Sequence, residues 1–247
     1  MAAALCRKMG MRSCKLLREA KTVICGGNYG GGTSAADLAT LGTLGSMLPA
    51  LVQLLLIEPV AGPIGVQRLA ERLGAGSLPA VTLLHLNGMS VGNAGASVLA
   101  AALGRGALPR LERLELSDAA IGDAGVVALA PALRRLQALE VLFLQGNPLG
   151  DEGLAALVAP LPPAGALSLP TGVLTKLKWL NLNSTQITDA GCAALTSALE
   201  SGALPALKEA SLDVGVPASA AAIHAVRVAL ATRNLVAQLR LGSPYDV

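Results

Sequence analysis

Three features of this 247-residue chain predict an α/β solenoid of stacked strand–helix repeats. The phrase Leu-x-x-Leu-x-Leu occurs as Leu111/Leu114/Leu116, Leu139/Leu142/Leu144 and Leu177/Leu180/Leu182. Diverged copies are Leu51/Leu54/Leu56, Val81/Leu84/Leu86 and Leu207/Ala210/Leu212. Successive copies start 30, 30, 28, 38 and 30 residues apart, long enough for one strand and one helix each. A helical pattern follows each of five copies. Val66/Leu69/Leu73, Ala96/Leu99/Leu103, Val126/Leu129/Leu133, Leu154/Leu157/Leu161 and Cys192/Leu195/Leu199 stand at i, i+3 and i+7.

Within residues 111–138, Leu114 and Leu116 have the two-residue period of a short strand with one buried face. Gly122-Asp123-Ala124-Gly125 then breaks the strand pattern, and the helix follows. Neither element can bury its apolar side alone, so strand must stack on strand and helix on helix. Asp123, Asp151 and Asp189 stand at helix starts, with Asn93 in the equivalent place. Each is expected to satisfy free N–H groups there, worth about 0.3–1 kcal/mol. A calcium or magnesium site needs several convergent oxygens, and each repeat offers one such acid, so no metal is expected. Leu78-Pro79, Leu108-Pro109 and Leu204-Pro205 precede strands; proline ends the helix and favours an extended residue before it.

The chain divides into a basic segment, residues 1–20, and one repeat domain, residues 21–247. Residues 21–50 read as a degenerate first repeat, in which Ile24 matches Leu54 and Gly32 matches Gly62. The spacing of 38 places an insertion at 160–172. Residues 217–247 read as a C-terminal cap, with Ile223/Val226/Leu230 helical and Val236/Leu239/Leu241 as a last strand.

Composition narrows the function. The chain is 53% hydrophobic but only 2% aromatic, so the core is built from Leu, Ala and Val and the single Trp and single Phe stand out. Residues 1–21 hold six bases and one acid; the other residues hold thirteen bases and fifteen acids. A body with slight acid excess lacks the basic footprint of a nucleic-acid binder. The basic start reads as a tail, a capping helix or an organelle-targeting segment. Cys6, Cys14, Cys25 and Cys192 show no zinc spacing, and Cys192 occupies a buried repeat position as a free thiol. Reduced thiols suit an intracellular, mainly cytoplasmic location. Leu38–Ile57 is uncharged over 20 residues, but its glycines, Pro49 and in-phase leucines favour a repeat over a membrane span.

These units, above all Leu111-Glu-Arg-Leu-Glu-Leu with Ile121-Gly-Asp-Ala-Gly125, and Leu177-Lys-Trp-Leu-Asn-Leu with Ile187-Thr-Asp-Ala-Gly191, resemble the leucine-rich repeats of the ribonuclease-inhibitor-like subclass. The likeness covers about residues 51–241. It implies a right-handed horseshoe with a parallel concave sheet and convex helices. The family places Asn or Cys three residues after the last strand leucine. Here Asn147 conforms, whereas Met89, Ala119, Thr185 and Gly215 do not, so backbone or water must satisfy those turns.

In this family the residues flanking the strand leucines point outward from the sheet. That makes three exposed columns. One runs Gln53, Leu83, Arg113, Val141, Trp179, Glu209, Gln238. The central one runs Leu55, His85, Glu115, Phe143, Asn181, Ser211, Arg240. The third runs Ile57, Asn87, Ser117, Gln145, Asn183, Asp213, Gly242. Phe143, Trp179 and Val141 are expected to form an exposed cluster, the usual anchor of a protein interface. His85, Arg113 and Glu115 read as a surface ion-pair group, and Asn181 and Asn183 complete the expected partner-binding set. No nucleophile stands beside the His–Glu pair, His224 is expected to be solvated, and Gly30-Gly31-Gly32 lacks a phosphate-loop context. The expected function is a non-enzymatic protein-binding module without cofactor. Alternatives are a structural subunit of an organelle complex or, by resemblance, a GTPase-activating regulator of Ran type, for which Arg113 is the nominee.

Overall fold

The computed structural model describes residues 2–8, 12–26, 33–57, 62–159 and 174–241. The expected insertion at 160–172, Leu161, Gly30–Gly32 and Gly242 fall outside these. Seven parallel strands form one open sheet in chain order: β1 Thr22–Gly26, β2 Gln53–Ile57, β3 Leu83–His85, β4 Arg113–Glu115, β5 Val141–Phe143, β6 Trp179–Asn181 and β7 Glu209–Ser211. Helices α3 Ala35–Thr43, α4 Gly62–Arg72, α5 Gly92–Gly104, α6 Asp123–Leu133, α7 Asp151–Val158 and α8 Asp189–Glu200 follow the first six strands in turn. Helices α1 Ala2–Lys8 and α2 Cys14–Glu19 precede β1, and α9 Ala220–Leu241 follows β7. Sequential parallel strands joined through helices on one face make the α/β solenoid that the repeat spacing predicts.

The leucines of each phrase are the core. Leu54, Leu114, Leu142 and Leu180 lie in one register across the sheet and are essentially inaccessible, as are Leu56, Leu116, Leu144 and Leu182 behind them. Burying each contributes about 1.5–3 kcal/mol. The helical positions Val66, Ala96, Val126, Leu154 and Cys192 meet them from the other layer. The register holds even across the 38-residue spacing, where Leu142 still faces Leu180.

The N-terminal unit is shifted by one residue from its expected phase. Val23 pairs with Leu54, while Ile24 pairs with Leu55. Val23 and Cys25 therefore point into the core and Ile24 is only partly covered. Residues of α1 and α2 close this end: Leu5, Cys6 and Leu17 join the core, and Lys8 pairs with Asp37 at 2.5 Å. Cys6 and Cys14 are free, with sulfurs 3.4 Å apart. Cys192 and Cys25 are buried free thiols; burial, then nearby carboxylates, pushes both up, Cys25 to about 12. Both behave as small apolar residues.

At the other end the expected strand Val236/Leu239/Leu241 is instead the last part of α9. Gln238 and Arg240 consequently stand on a helix and not in the sheet columns. A run of Ala, Leu, Val and Arg without glycine or proline from Ala220 to Leu241 favours one continuous helix. Leu38–Ile57 is divided between α3, a 3-10 turn at Gly45–Met47 and β2. Among the described residues no helix is long and apolar enough to cross a membrane.

Two further expectations need correction. Leu78 and Leu108 precede prolines with φ of 54° and 53°, not extended. Their amides reach carbonyls one repeat back, Gly45 and Ser77, and both side chains are fully buried. Burial and these bonds hold a backbone that leucine disfavours. The acids at helix starts cap the next helix and not their own. The Asp123 carboxylate accepts from the N–H groups of Gly150 (2.6 Å) and Gly153 (2.9 Å), at the start of α7. Asn93 does the same for Gly122 and Gly125, Asp151 for Thr188 and Gly191, and Asp189 for Ser219. This explains the glycine in Gly-Asp-x-Gly. A Cβ at Gly153 would lie 2.7 Å from the Asp123 oxygen.

The turns after the strands are satisfied largely by backbone. Gly88, Asp118, Gly146 and Ser184 donate to Ser117, Gln145, Asn183 and Val214 of the following repeat. Asn147 adds one buried side-chain hub. It accepts from Ala119 and Ile121 and donates to the carbonyls of Leu116 and Leu144. Thr185, at the equivalent place, bonds only the Leu182 carbonyl. Asn147→Ala should cost about 2–4 kcal/mol because it strands several buried groups. Asp123→Ala, at a partly exposed cap, should cost about 0.5–2 kcal/mol. Urea denaturation of both variants checks the order; equal costs would contradict the hub role of Asn147.

Candidate interaction face

Two of the three columns expected on the sheet are paired strand to strand from β2 to β7; the third, from Asn87 to Asp213, lies beyond the ends of β3 to β7, and its Ser117 is buried. Leu55, His85, Glu115, Phe143, Asn181 and Ser211 are successive partners, as are Gln53, Leu83, Arg113, Val141, Trp179 and Glu209. Parallel pairing puts partners on one side of the sheet, about 4.8 Å apart. Because β3 to β7 are three residues long and the inner position is filled by leucine in β3 to β6 and by Ala210 in β7, the two flanking positions present side chains on the concave face.

The face has two chemically different parts. At its centre is a polar network around Glu115. The expected ion-pair group is present, but its carboxylate is covered, only 7% exposed, while Arg113 stays in part at the surface. One oxygen meets His85 Nδ1 at 2.5 Å and accepts from Asn87 Nδ2 at 3.0 Å; the other accepts from Arg113 Nε. Burial raises the Glu115 pKa, but the hydrogen bonds and charges of His85 and Arg113 outweigh it, and the net shift is downward. The Arg113 guanidinium also lies over the Phe143 ring, 4.7 Å from its centroid. One cation thus serves a carboxylate and an aromatic face together.

Towards β7 the face opens. Phe143, Trp179, Asn181, Glu209 and Ser211 line a hollow of about 260 Å³. Trp179 is 47% exposed and Phe143 is partly covered. Val141 does not join them as an exposed residue: it is 8% exposed. It sits in register between Arg113 and Trp179, two of the largest side chains on the face. Asn181 lines the hollow, and its side-chain Oδ1 accepts from the Asn183 backbone N–H at 3.1 Å. Asn183 has a structural task, since its side-chain oxygen accepts from Asp213 and Val214 in the next turn. Glu209 was not among the residues singled out from sequence. Its place next to Trp179 in the column was the available signal.

The catalytic readings gain nothing from this geometry. Arg113, the nominee for a GTPase-activating arginine, is engaged by Glu115 and Phe143. Ser117, beside Glu115 in sequence, is buried, and His224 is exposed on α9, away from the His85 pair in the chain.

Glu115 gives a pH signature. Its native pKa lies below its unfolded value, so its contribution is complete above the unfolded pKa and is lost as pH falls through the native one. The stability gap between wild type and Glu115→Gln should therefore narrow on acidification through the carboxylate range. Urea denaturation at several pH values checks this; a gap that widens in acid would overturn it.

The leucine-rich-repeat family model matches residues 108–130, 136–158 and 173–195. No curated protein matches the chain in sequence. Among solved structures, the C-terminal domain of tropomodulin from Caenorhabditis elegans is similar in fold, with TM-score 0.50 and 16% identity. The match covers 85% of this chain and 100% of that one. Repeat phrase, open parallel sheet with helices behind it and three matched repeats agree, and the chain carries leucine-rich repeats.

Proposed function

We propose that the protein is a non-enzymatic interaction module that binds a protein partner across its concave sheet, centred on Phe143 and Trp179. The observation that carries this reading is the exposure of Trp179 beside an open hollow in a chain otherwise almost free of aromatics. A half-exposed indole on a rigid strand offers large contact area with little ordering cost, and such residues dominate interface energetics. The Glu115 network supports the same view. It fixes Arg113 and Phe143 before any partner arrives, which lowers the entropy cost of binding. Leucine-rich repeats suit this use because the strands present a continuous surface and no single enclosed pocket. The ribonuclease-inhibitor-like subclass agrees with the long, helix-bearing repeats. An organelle-complex role through residues 1–21 is a second form of the same binding activity and needs only a different compartment.

Trp179→Ala should change stability by less than about 1 kcal/mol, as expected for an exposed position. The Phe143→Ala/Trp179→Ala variant should keep wild-type circular dichroism yet lose crosslinked partners that wild type captures from cells. Unaltered capture by the double variant would sink the concave-face reading. Unfolding of Trp179→Ala would instead assign the indole to the core.

A further inference from the structure

The two aromatic groups of the concave face differ in one respect. At Phe143 the ring carries a guanidinium, that of Arg113, and the guanidinium is held from behind by the carboxylate of Glu115, the residue that pairs with Phe143 across the strands. At Trp179, two strands along and in the neighbouring column, a ring again has a carboxylate as its cross-strand partner. Glu209 is the cross-strand partner of Trp179, and both line the hollow with Phe143, Asn181 and Ser211. Among the described residues no cation pairs with Glu209.

The charges nearby leave Glu209 without one. On the described strand columns the carboxylates are Glu115, Glu209 and Asp213. Glu115 is held by Arg113 and His85, and Asp213 pairs with Arg227. Lys178 is engaged by Glu140 at 2.7 Å. Lys208 precedes β7 and is exposed, and among the described residues it makes no ion pair with Glu209. Among the described residues Glu209 has no ion pair, only a 3.4 Å bond from the Ser211 hydroxyl.

We propose that the hollow is a site for the guanidinium of an arginine side chain, which stacks on Trp179, packs beside Phe143 and pairs with Glu209. This rests on the concave-face reading for its source, a protein partner that presents an exposed arginine. The planar cation suits the site better than an ammonium. It stacks on an aromatic face while its edge donates two N–H groups to a carboxylate. The Asn181 side chain and the Ser211 hydroxyl supply further acceptors at the rim.

Trp179 is the only tryptophan, so its fluorescence reports occupancy directly. A blocked arginine tripeptide is titrated into the full chain at fixed ionic strength, against the same peptide with citrulline, which keeps the shape and loses the charge. Arginine should give a saturable change that citrulline does not match. Glu209→Gln should weaken it about threefold, and added salt should weaken it further. Phe143→Leu should also weaken it, with circular dichroism as the check on folding. Equal response to the two peptides, or unchanged affinity in Glu209→Gln, overturns the proposal. Partner capture separates the two readings. Capture lost in Phe143→Ala/Trp179→Ala but unaltered in Glu209→Gln keeps the face and rejects the arginine site. Selective arginine binding with capture unaltered in the double variant keeps the site and rejects the partner face.

Discussion

No repeat of this chain can bury its own leucines. Each strand is three to five residues long, and each helix has one apolar side. The leucines become inaccessible only when the next repeat adds its strand and its helix. Parallel pairing in strict register is therefore the constraint from which the rest follows. It aligns the leucines as layers, aligns the turns so that their backbone groups bond from repeat to repeat, and aligns outward side chains as columns. A slip of one residue would turn every leucine outward.

The polar chemistry follows the same logic of neighbours. Asn93, Asp123, Asp151 and Asp189 each cap the helix of the following repeat. Arginines do the corresponding work at helix ends. Arg105 donates to the carbonyls of Ala70 and Leu73 at the end of α4, and Arg134 to those of Ala156 and Leu157 at the end of α7. Acids near the starts and cations near the ends both suit the helix dipole. These bonds tie adjacent units together and leave the concave face free of structural duty, except at its edge, where Asn87 and Asn183 hold the turns.

That freedom lets the face differ along its length. Near β4 the side chains satisfy one another: Glu115 is paired, Arg113 is engaged twice and Val141 is covered. Near β6 and β7, Trp179 and Glu209 are exposed and leave a hollow between them. A self-satisfied group supplies rigidity and little binding energy, whereas an unsatisfied one is open to a ligand. The contrast within one sheet is what points to the β5–β7 end of the sheet as the working surface.

The fold was legible in the sequence because it depends on period. Leucine positions, the spacing and the residues flanking the leucines give strands, helices and columns without reference to distant parts of the chain. The ends were less legible, because no second copy corrects the phase. Ile24 was misaligned by one residue, and Val236–Leu241 carried a strand-like pattern yet belongs to a helix. The site was half legible. Sequence alone put Trp179, Phe143, Arg113, His85 and Glu115 on one face. Only the tertiary structure decided that Val141 is covered, that Glu115 is buried and held by two bases, that Asp123 serves its neighbour's helix, and that Glu209 stands open beside Trp179. Period is a property of one strand or helix and can be read from spacing. Burial and pairing are set by side chains that meet across repeats about 30 residues apart, and spacing does not record which of them touch.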